Sequence, residues 1–167
     1  MEIQFRLNGK QMTKEVAADA ILLNVLRELG CTSVKCGCET TNCGLCTVWV
    51  DDKPRLSCSI LAASMNGHSI TTLEGVQEEA AEFGRFLAEE GAEQCGFCAP
   101  GFIMSVLAMV RELDHPTLEE IKEYLAGNLC RCTGYMGQLR AIEKYMQAKQ
   151  LPIEREALEE KKEGVQA

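Results

Sequence analysis

Cysteine is the residue type with the greatest capacity for chemistry in this sequence. The 167-residue chain contains ten cysteines, and all of them fall in two stretches, residues 31–58 and 95–132. The densest segment is VKCGCETTNCGLC, residues 34–46, which places four thiols within eleven positions. Thiolates at such short spacings bind metals in reducing compartments and form disulfides in oxidising ones. The first question is therefore which cysteines are ligands, and what they bind.

The N-terminal sequence MEIQFRLNGK bears on the compartment. It lacks the basic start and apolar stretch of a secretory signal, so we expect a cytoplasmic, reducing location in which the cysteines bind metal. Five disulfides remain a formal alternative. However, Cys36 and Cys38, like Cys130 and Cys132, are too close in sequence to pair easily with each other. Metal binding is the better interpretation.

Charge and hydropathy exclude two other classes of partner. The formal net charge of −8 argues against a nucleic-acid-binding protein, which needs a basic face to displace counterions. The sequence contains no run of 18 or more apolar residues, so we expect no membrane insertion.

The first cysteine group has the spacing of a plant-type ferredoxin centre. Four residues separate Cys38 from Cys43, two separate Cys43 from Cys46, and Cys58 follows after eleven more. This pattern is typical of a [2Fe–2S] cluster. Zinc sites more often combine two C-x2-C pairs, which the four-residue gap does not match. Gly37 and Gly44 are further candidate cofactor-binding residues, because small residues let backbone N–H groups approach a cluster and stabilise its charge.

The second group combines two pairs of cysteines. Cys95 and Cys98 lie in QCGFCAPG, and Cys130 and Cys132 lie in GNLCRCTGY. Zinc is a fair alternative for these pairs taken alone. The start of a helix predicted at Pro100 favours an anionic group beside Cys98, because free N–H groups and the helix dipole face it.

Hydrophobic periodicity predicts a mixed first half. Residues 3–7 alternate between apolar and polar side chains ahead of Asn8-Gly9, a strong hairpin signal. A helix follows, with Asp19 predicted as its N-cap and Gly30 at its end. Strand patterns return after the cysteine-rich loop. The sequence thus predicts an α+β domain over residues 1–76, with one helix packed on a small sheet.

The second half is predicted to be helical. The helices contain apolar positions at helical spacing, a capping box at Thr117 and Glu120, and a last helix over residues 137–149. Four short helices predict a small all-α domain over residues 77–150. Residues 151–167 form a charged C-terminal tail.

The motifs SVKCGC, NCGLCTVWVD, LEG, QCGFCAPGFIMS and GNLCRCTGY, in this order, carry a specific resemblance. The chain resembles the small iron–sulfur subunits of the molybdenum hydroxylases, the family of xanthine dehydrogenase, aldehyde oxidoreductase and carbon monoxide dehydrogenase. The resemblance implies an N-terminal β-grasp domain like plant ferredoxin and a C-terminal four-helix domain. Each would hold one [2Fe–2S] cluster.

The resemblance also implies ligands and partners. The ligands carried over are Cys38, Cys43, Cys46 and Cys58 for the ferredoxin-type cluster, and Cys95, Cys98, Cys130 and Cys132 for the helical-domain cluster. Gln94 would contact the molybdopterin of a partner chain. Cys31 and Cys36 would be spare. The chain departs from the family at Glu39 and Thr41, where small residues are usual, and at Leu45, where alanine is usual.

The function implied is electron transfer. Single electrons would pass from a molybdopterin-binding large subunit through the two clusters to an FAD-binding medium subunit or another acceptor. No G-x-G-x-x-G motif follows a strand, and we expect no substrate-converting site on this chain. A purine or another N-heterocycle is the favoured substrate of the complex. The alternatives are a subunit of an aldehyde- or carbon monoxide-oxidising enzyme, a free-standing two-cluster ferredoxin, and a structural zinc protein.

Overall fold

A computed structural model describes residues 1–154 of the chain. The predicted charged tail lies outside the described residues from position 155 onward. Its first part does not extend away from the molecule, because Leu151 and Ile153 pack against the helical core and Glu154 pairs with Thr117 in a short bridge.

The predicted first hairpin is confirmed. β1 (Glu2–Leu7) pairs antiparallel with β2 (Lys10–Glu15), and the alternating residues Ile3, Phe5 and Leu7 are buried. Asn8 and Gly9 both have positive φ, 49° and 80°, as a type I′ turn requires. The hairpin therefore follows from local sequence.

Three further strands complete a mixed five-stranded sheet. They are β3 (Thr47–Val50), β4 (Lys53–Leu56) and β5 (Ser69–Thr71). The strand order is β2-β1-β5-β3-β4, with β1 and β5 parallel and the other pairs antiparallel. Helix α1 (Leu22–Glu28) contributes Leu22, Leu23, Val25 and Leu26 to the hydrophobic cluster of the sheet. This is the predicted β-grasp arrangement.

The predicted N-cap Asp19 is wrong. Helix α1 begins at Leu22, its N-cap is Ile21, and no side chain caps it. The backbone N–H of Leu22 donates instead to the carbonyl of Ile60 at 2.8 Å, so tertiary contact replaces the side-chain cap. Gly30 follows the helix with a φ of 91°, and its predicted role in ending the helix is confirmed.

Four helices form the second half, as predicted. They are α2 (Gln77–Glu89), α3 (Ala99–Glu112), α4 (Leu118–Leu125) and α5 (Met136–Ala148). The capping box of Thr117 and Glu120 is present at the start of α4. The last helix lies one residue earlier than predicted.

The two halves are packed against each other. Trp49, on β3, belongs to the hydrophobic cluster of the helices, and its indole Nε1 donates to the Met104 carbonyl of α3 at 3.0 Å. Within residues 1–154, none of the helices has the length and apolar character needed to cross a lipid bilayer.

Candidate iron–sulfur centres

Strand pairing brings the first cysteine group together. Cys38, Cys43 and Cys46 lie in the loop between α1 and β3, and Cys58 lies in the short 3-10 turn after β4. The backbone N–H and the hydroxyl of Ser57 both donate to the Cys46 carbonyl, at 3.2 and 2.8 Å. The β3–β4 hairpin thus places Cys58, which is distant in sequence, next to the cysteine loop.

The four thiols of this group form two pairs. Cys38 and Cys43 are hydrogen-bonding partners, and Cys58 is paired with Cys46. A [2Fe–2S] cluster with four cysteine ligands has two on each iron. The observed pairs fit that donor set.

Backbone donors and burial separate the thiols electrostatically. Backbone N–H groups of Thr40 and Asn42 donate to the Cys38 sulfur and lower its pKa to about 6. Burial, together with the neighbouring Cys46 thiol, raises the pKa of Cys58 to about 12. Loop N–H groups therefore favour the thiolate at Cys38, while Cys58 requires a bound cation to ionise near neutral pH.

The second group meets across two interhelical loops. Cys95 and Cys98 precede α3, with Cys98 as its N-cap, while Cys130 and Cys132 lie between α4 and α5. The sulfurs of Cys132 and Cys95 are 3.5 Å apart, and Cys98 is paired with Cys130. This group therefore has the same two-by-two arrangement as the first.

Two side chains from the loop before α5 hold Cys130. The Thr133 hydroxyl donates to the Cys130 sulfur at 3.1 Å, and the Tyr135 hydroxyl accepts from the Cys130 backbone N–H at 2.9 Å. Burial acts to raise the pKa of Cys130, but the Thr133 hydroxyl and nearby backbone N–H groups lower it overall. Burial and the Cys130 thiol raise the pKa of Cys98 to about 12.

The chemistry of these donor sets suits iron–sulfur clusters. Each group presents four thiols in two pairs, with hydrogen-bond donors aimed at the sulfurs. A zinc ion instead needs four sulfurs around one point, at about 2.3 Å each. The two-by-two pairing of the thiols therefore fits a two-metal group.

The other two cysteines have partners of a different kind. Cys31 is buried beside Thr72 and Glu74, and burial raises the pKa of its thiol. Cys36 is exposed, and its sulfur lies 3.5 Å from the Cys38 carbonyl oxygen. That both cysteines are spare stays a prediction.

The predicted glycines lie at close contacts. The Gly37 N–H donates to the Cys43 sulfur, and a Cβ at Gly37 would lie 2.6 Å from Cδ2 of Leu45. Gly44 has a φ of 71°, and a Cβ there would lie 2.4 Å from the Gly127 carbonyl oxygen. Gly44 is therefore required by its conformation and by the approach of the helical half.

Gln94 lies beside the second cysteine group, and Thr41 and Leu45, two of the departures from the family pattern, lie in the loop of the first. Gln94 is exposed beside Cys95 and lines the cavity of the second group. Thr41 has a φ of 59°, a left-handed conformation that favours glycine. Leu45 is buried against Gly37.

One backbone hydrogen bond connects the two groups. The N–H of Leu129 donates to the carbonyl oxygen of Cys43 at 2.9 Å, and Leu129 immediately precedes Cys130. Close packing supports this contact, because a Cβ at Gly101 of α3 would lie 2.4 Å from the Gly44 carbonyl oxygen. The two cysteine sites thus share a backbone junction.

Sequence reasoning did not identify several residues of these sites. Gly101 carried a detectable signal, since glycine inside a helix is costly and usually has a packing reason. Thr133 and Tyr135 carried none, because their roles depend on how the loop before α5 folds back onto Cys130.

Comparison with known proteins agrees with this geometry. Residues 5–65 match the model of a 2Fe-2S iron-sulfur cluster binding domain, and residues 72–143 match that of a [2Fe-2S] binding domain. The chain is 43% identical to a probable xanthine dehydrogenase subunit of Bacillus subtilis (strain 168), over 83% of this chain and 82% of that protein. It is 40% identical to the nicotinate dehydrogenase small FeS subunit of Eubacterium barkeri, over 86% of this chain and 92% of that protein.

A solved structure is similar over nearly the whole chain. The match is to quinoline 2-oxidoreductase from Pseudomonas putida 86, with a TM-score of 0.81 and 36% identity, and it covers 90% of this chain and 96% of that one. One of these relatives is named as a small FeS subunit. The chain belongs to the family of small iron–sulfur subunits of the molybdenum hydroxylases. It is an electron-transferring subunit of an oxidoreductase, with two [2Fe–2S] domains, and the resemblance seen in the sequence is confirmed.

Proposed function

We propose that this chain carries single electrons from a molybdopterin-binding large subunit to an FAD-binding medium subunit, through two clusters with defined ligands. The ferredoxin-type cluster is held by Cys38, Cys43, Cys46 and Cys58. The helical-domain cluster is held by Cys95, Cys98, Cys130 and Cys132. A bound [2Fe–2S] cluster supplies a change of charge by one electron.

The backbone junction between Leu129 and Cys43 is the observation that carries this proposal. Leu129 is adjacent to the proposed ligand Cys130. Its backbone N–H donates to the carbonyl oxygen of the proposed ligand Cys43 at 2.9 Å. The path between the two sets of ligands therefore consists of covalent backbone and a single hydrogen bond.

Exposed apolar side chains support docking of the large subunit at the helical-domain centre. Phe97 is 48% exposed, Leu129 is 56% exposed and Met136 is 61% exposed, and each lies within four residues of a proposed ligand. Cys95 and Cys132 are exposed at the same centre, as is Gln94, our candidate molybdopterin contact. Large exposed apolar residues grouped around a site are typical of an interaction surface.

Electrons then leave the chain from the ferredoxin-type cluster. Cys38 and Cys58 are partly exposed, and Leu61, three residues beyond Cys58, is 48% exposed. We propose that the flavin subunit docks there. The assembled enzyme is a hetero-oligomer, and the thiolate ligands of both clusters suit the reducing cytoplasm.

For the substrate of the complex, we propose a purine or another N-heterocycle. The names of the relatives refer to xanthine, nicotinate and quinoline, which are all nitrogen heterocycles. Aldehyde or carbon monoxide oxidation remains the second candidate, because small subunits of this kind serve those enzymes as well.

Purification from the native host tests the assignment of partners. A tagged chain is expected to retain a molybdopterin-containing subunit and FAD, and the complex is expected to reduce an electron acceptor with xanthine, nicotinate or a related heterocycle. A chain that emerges alone with both clusters intact is a free-standing ferredoxin and contradicts the proposal. A complex that oxidises only aldehydes or carbon monoxide contradicts the substrate assignment alone.

A further inference from the structure

A buried glutamine lies in the wall of the helical-domain centre. Gln138 is 4% exposed, and its side-chain Oε1 is the one buried side-chain N or O atom in residues 1–154 that lacks a hydrogen-bond partner. Burying an amide without a partner is costly. The Gln138 amide is therefore expected to form a hydrogen bond with a group that the polypeptide does not supply.

The position of Gln138 in its helix does not explain why its amide is buried. Gln138 is the third residue of α5, where a glutamine often bonds back to the N–H of the N-cap residue. Here the N-cap is Tyr135, and its N–H is directed to the Thr133 hydroxyl oxygen at 3.3 Å. The capping role is already filled, so the amide of Gln138 has another use.

The cavity that Gln138 lines identifies the partner. The same cavity is lined by the sulfur-bearing residues Cys95, Cys98, Cys130 and Cys132. On its other side, Gln138 borders an apolar surface pocket of about 350 Å³ that includes Phe102, Leu139 and Ile142. That pocket also includes Lys122, Asn128 and Tyr135, but the Gln138 oxygen bonds to none of them. The cysteine cavity instead gathers four sulfurs. Thiolates and bridging sulfides accept hydrogen bonds, so the end of the amide directed at them must be Nε2 rather than Oε1. A half-turn of the amide about its last bond exchanges the two ends and places Nε2 in the buried position.

We propose that the Gln138 amide donates an N–H hydrogen bond from Nε2 to the helical-domain cluster or to its cysteine sulfurs, and thereby raises the potential of that cluster. This inference rests on the proposed ligands of the helical-domain centre. The physical reason is charge. The reduced cluster carries one more negative charge than the oxidised one, so a donor stabilises the reduced form more strongly.

The consequence is a bias in the direction of electron flow. An N–H donor at the cluster that lies next to the docking surface makes this cluster a better acceptor. Gln138 thus favours the uptake of electrons from the large subunit. It is a tuning residue and takes no part in converting substrate.

The test is a redox titration of the holoenzyme monitored by EPR. Gln138→Met keeps the volume of the side chain but removes its N–H donor. The helical-domain signal, identified as the one lost in Cys98→Ser, is expected to titrate at lower potential. We expect about a tenfold lower ratio of reduced to oxidised cluster at fixed ambient potential, or about 59 mV for a one-electron couple. The other signal should not move.

A control variant and a second substitution of Gln138 distinguish a loss of the hydrogen bond from poor folding. Gln147 lies on the same helix but is exposed, and Gln147→Met should leave both potentials unchanged. Gln138→Leu, a second apolar replacement, should repeat the shift if Gln138→Met folds poorly. An unshifted helical-domain signal in folded variants overturns the inference. Absence of a second cluster signal from the wild-type enzyme refutes instead the ligand assignment on which the inference rests.

Discussion

At the scale of single residues, the surroundings of each thiol distinguish the members of a site. In the ferredoxin-type site, loop N–H groups lower the pKa of Cys38 to about 6, while burial and Cys46 raise that of Cys58 to about 12. Cys36, two residues from Cys38, is exposed with its sulfur near a carbonyl oxygen. A neighbouring cysteine is therefore not an equivalent ligand.

Substitution of the two neighbours tests this distinction. Cys38→Ser is expected to abolish or alter the EPR signal of the ferredoxin-type cluster, because it removes a sulfur that is paired with Cys43. Cys36→Ser is expected to leave both signals intact. The measurement is EPR of the reduced, purified variants. The opposite pattern would transfer the ligand role from Cys38 to Cys36.

The cysteine spacing was sufficient to predict the eight candidate ligands, because a short loop constrains which thiols can converge. It was not sufficient to identify Thr133, Tyr135 or Gln138. Their contacts depend on how the loop before α5 folds back toward α3, and neither spacing nor periodicity encodes that path.

At the scale of secondary-structure elements, a small polar network fixes the segment that leads into the cysteine loop. The Glu74 carboxylate accepts from the backbone N–H and the hydroxyl of Ser33, at 2.9 and 2.6 Å, and from the Thr72 hydroxyl at 2.6 Å. Thr72 follows β5 and also accepts from the Asn8 side-chain amide at 3.0 Å. The entrance to the loop is thus tied to the first hairpin and to β5.

Replacing Glu74 tests this network and its pH dependence. Glu74→Gln removes the charge and should destabilise the fold by about 1.5 kcal/mol, or roughly 3–6 °C in Tm. Burial acts to raise the pKa of Glu74, but hydrogen bonds from Ser33 and Thr72 lower it overall. The wild-type advantage should therefore be complete above about pH 4.3, the unfolded pKa, and should vanish as pH falls through the lower folded pKa.

Thermal unfolding followed by circular dichroism between pH 7 and the lowest pH at which the chain refolds provides the measurement. Glu2→Gln is the control, because Glu2 is exposed on β1. A difference between wild type and Glu74→Gln that stays constant with pH would show that the charge of Glu74 contributes nothing.

Most elements could be predicted from local sequence, for physical reasons seen at particular residues. Asn8-Gly9 specifies its turn by positive φ, and Thr117 with Glu120 satisfies the first N–H groups of α4 locally. The start of α1 could not be predicted, because the Ile60 carbonyl, distant in sequence, accepts the N–H that Asp19 was expected to cap.

At the scale of the whole molecule, the two halves share a packed interface. Trp49 of the sheet is 3% exposed within the helical cluster, and the Arg111 guanidinium lies 4.1 Å from the centroid of its ring. Gly101 of α3 lies directly against Gly44 of the cysteine loop. This interface holds the two proposed clusters at a fixed separation.

Trp49→Phe tests the energetic coupling of the halves. Loss of the indole hydrogen bond to Met104 should lower the stability by about 1 kcal/mol. Helical circular dichroism and visible absorption of both clusters should still be lost in one coincident transition, because unfolding of either half exposes the shared interface. Separate transitions in the wild-type chain would show that the halves are independent.

The most direct test of the central claim is a metal and EPR analysis of the purified chain with one ligand variant for each site. The wild-type chain is expected to contain about four irons, two for each [2Fe–2S] cluster, and to give two distinct EPR signals after reduction. Cys38→Ser and Cys98→Ser should each lose a different one of these signals. A colourless wild-type chain with stoichiometric zinc, or one signal that both variants abolish, would contradict the account.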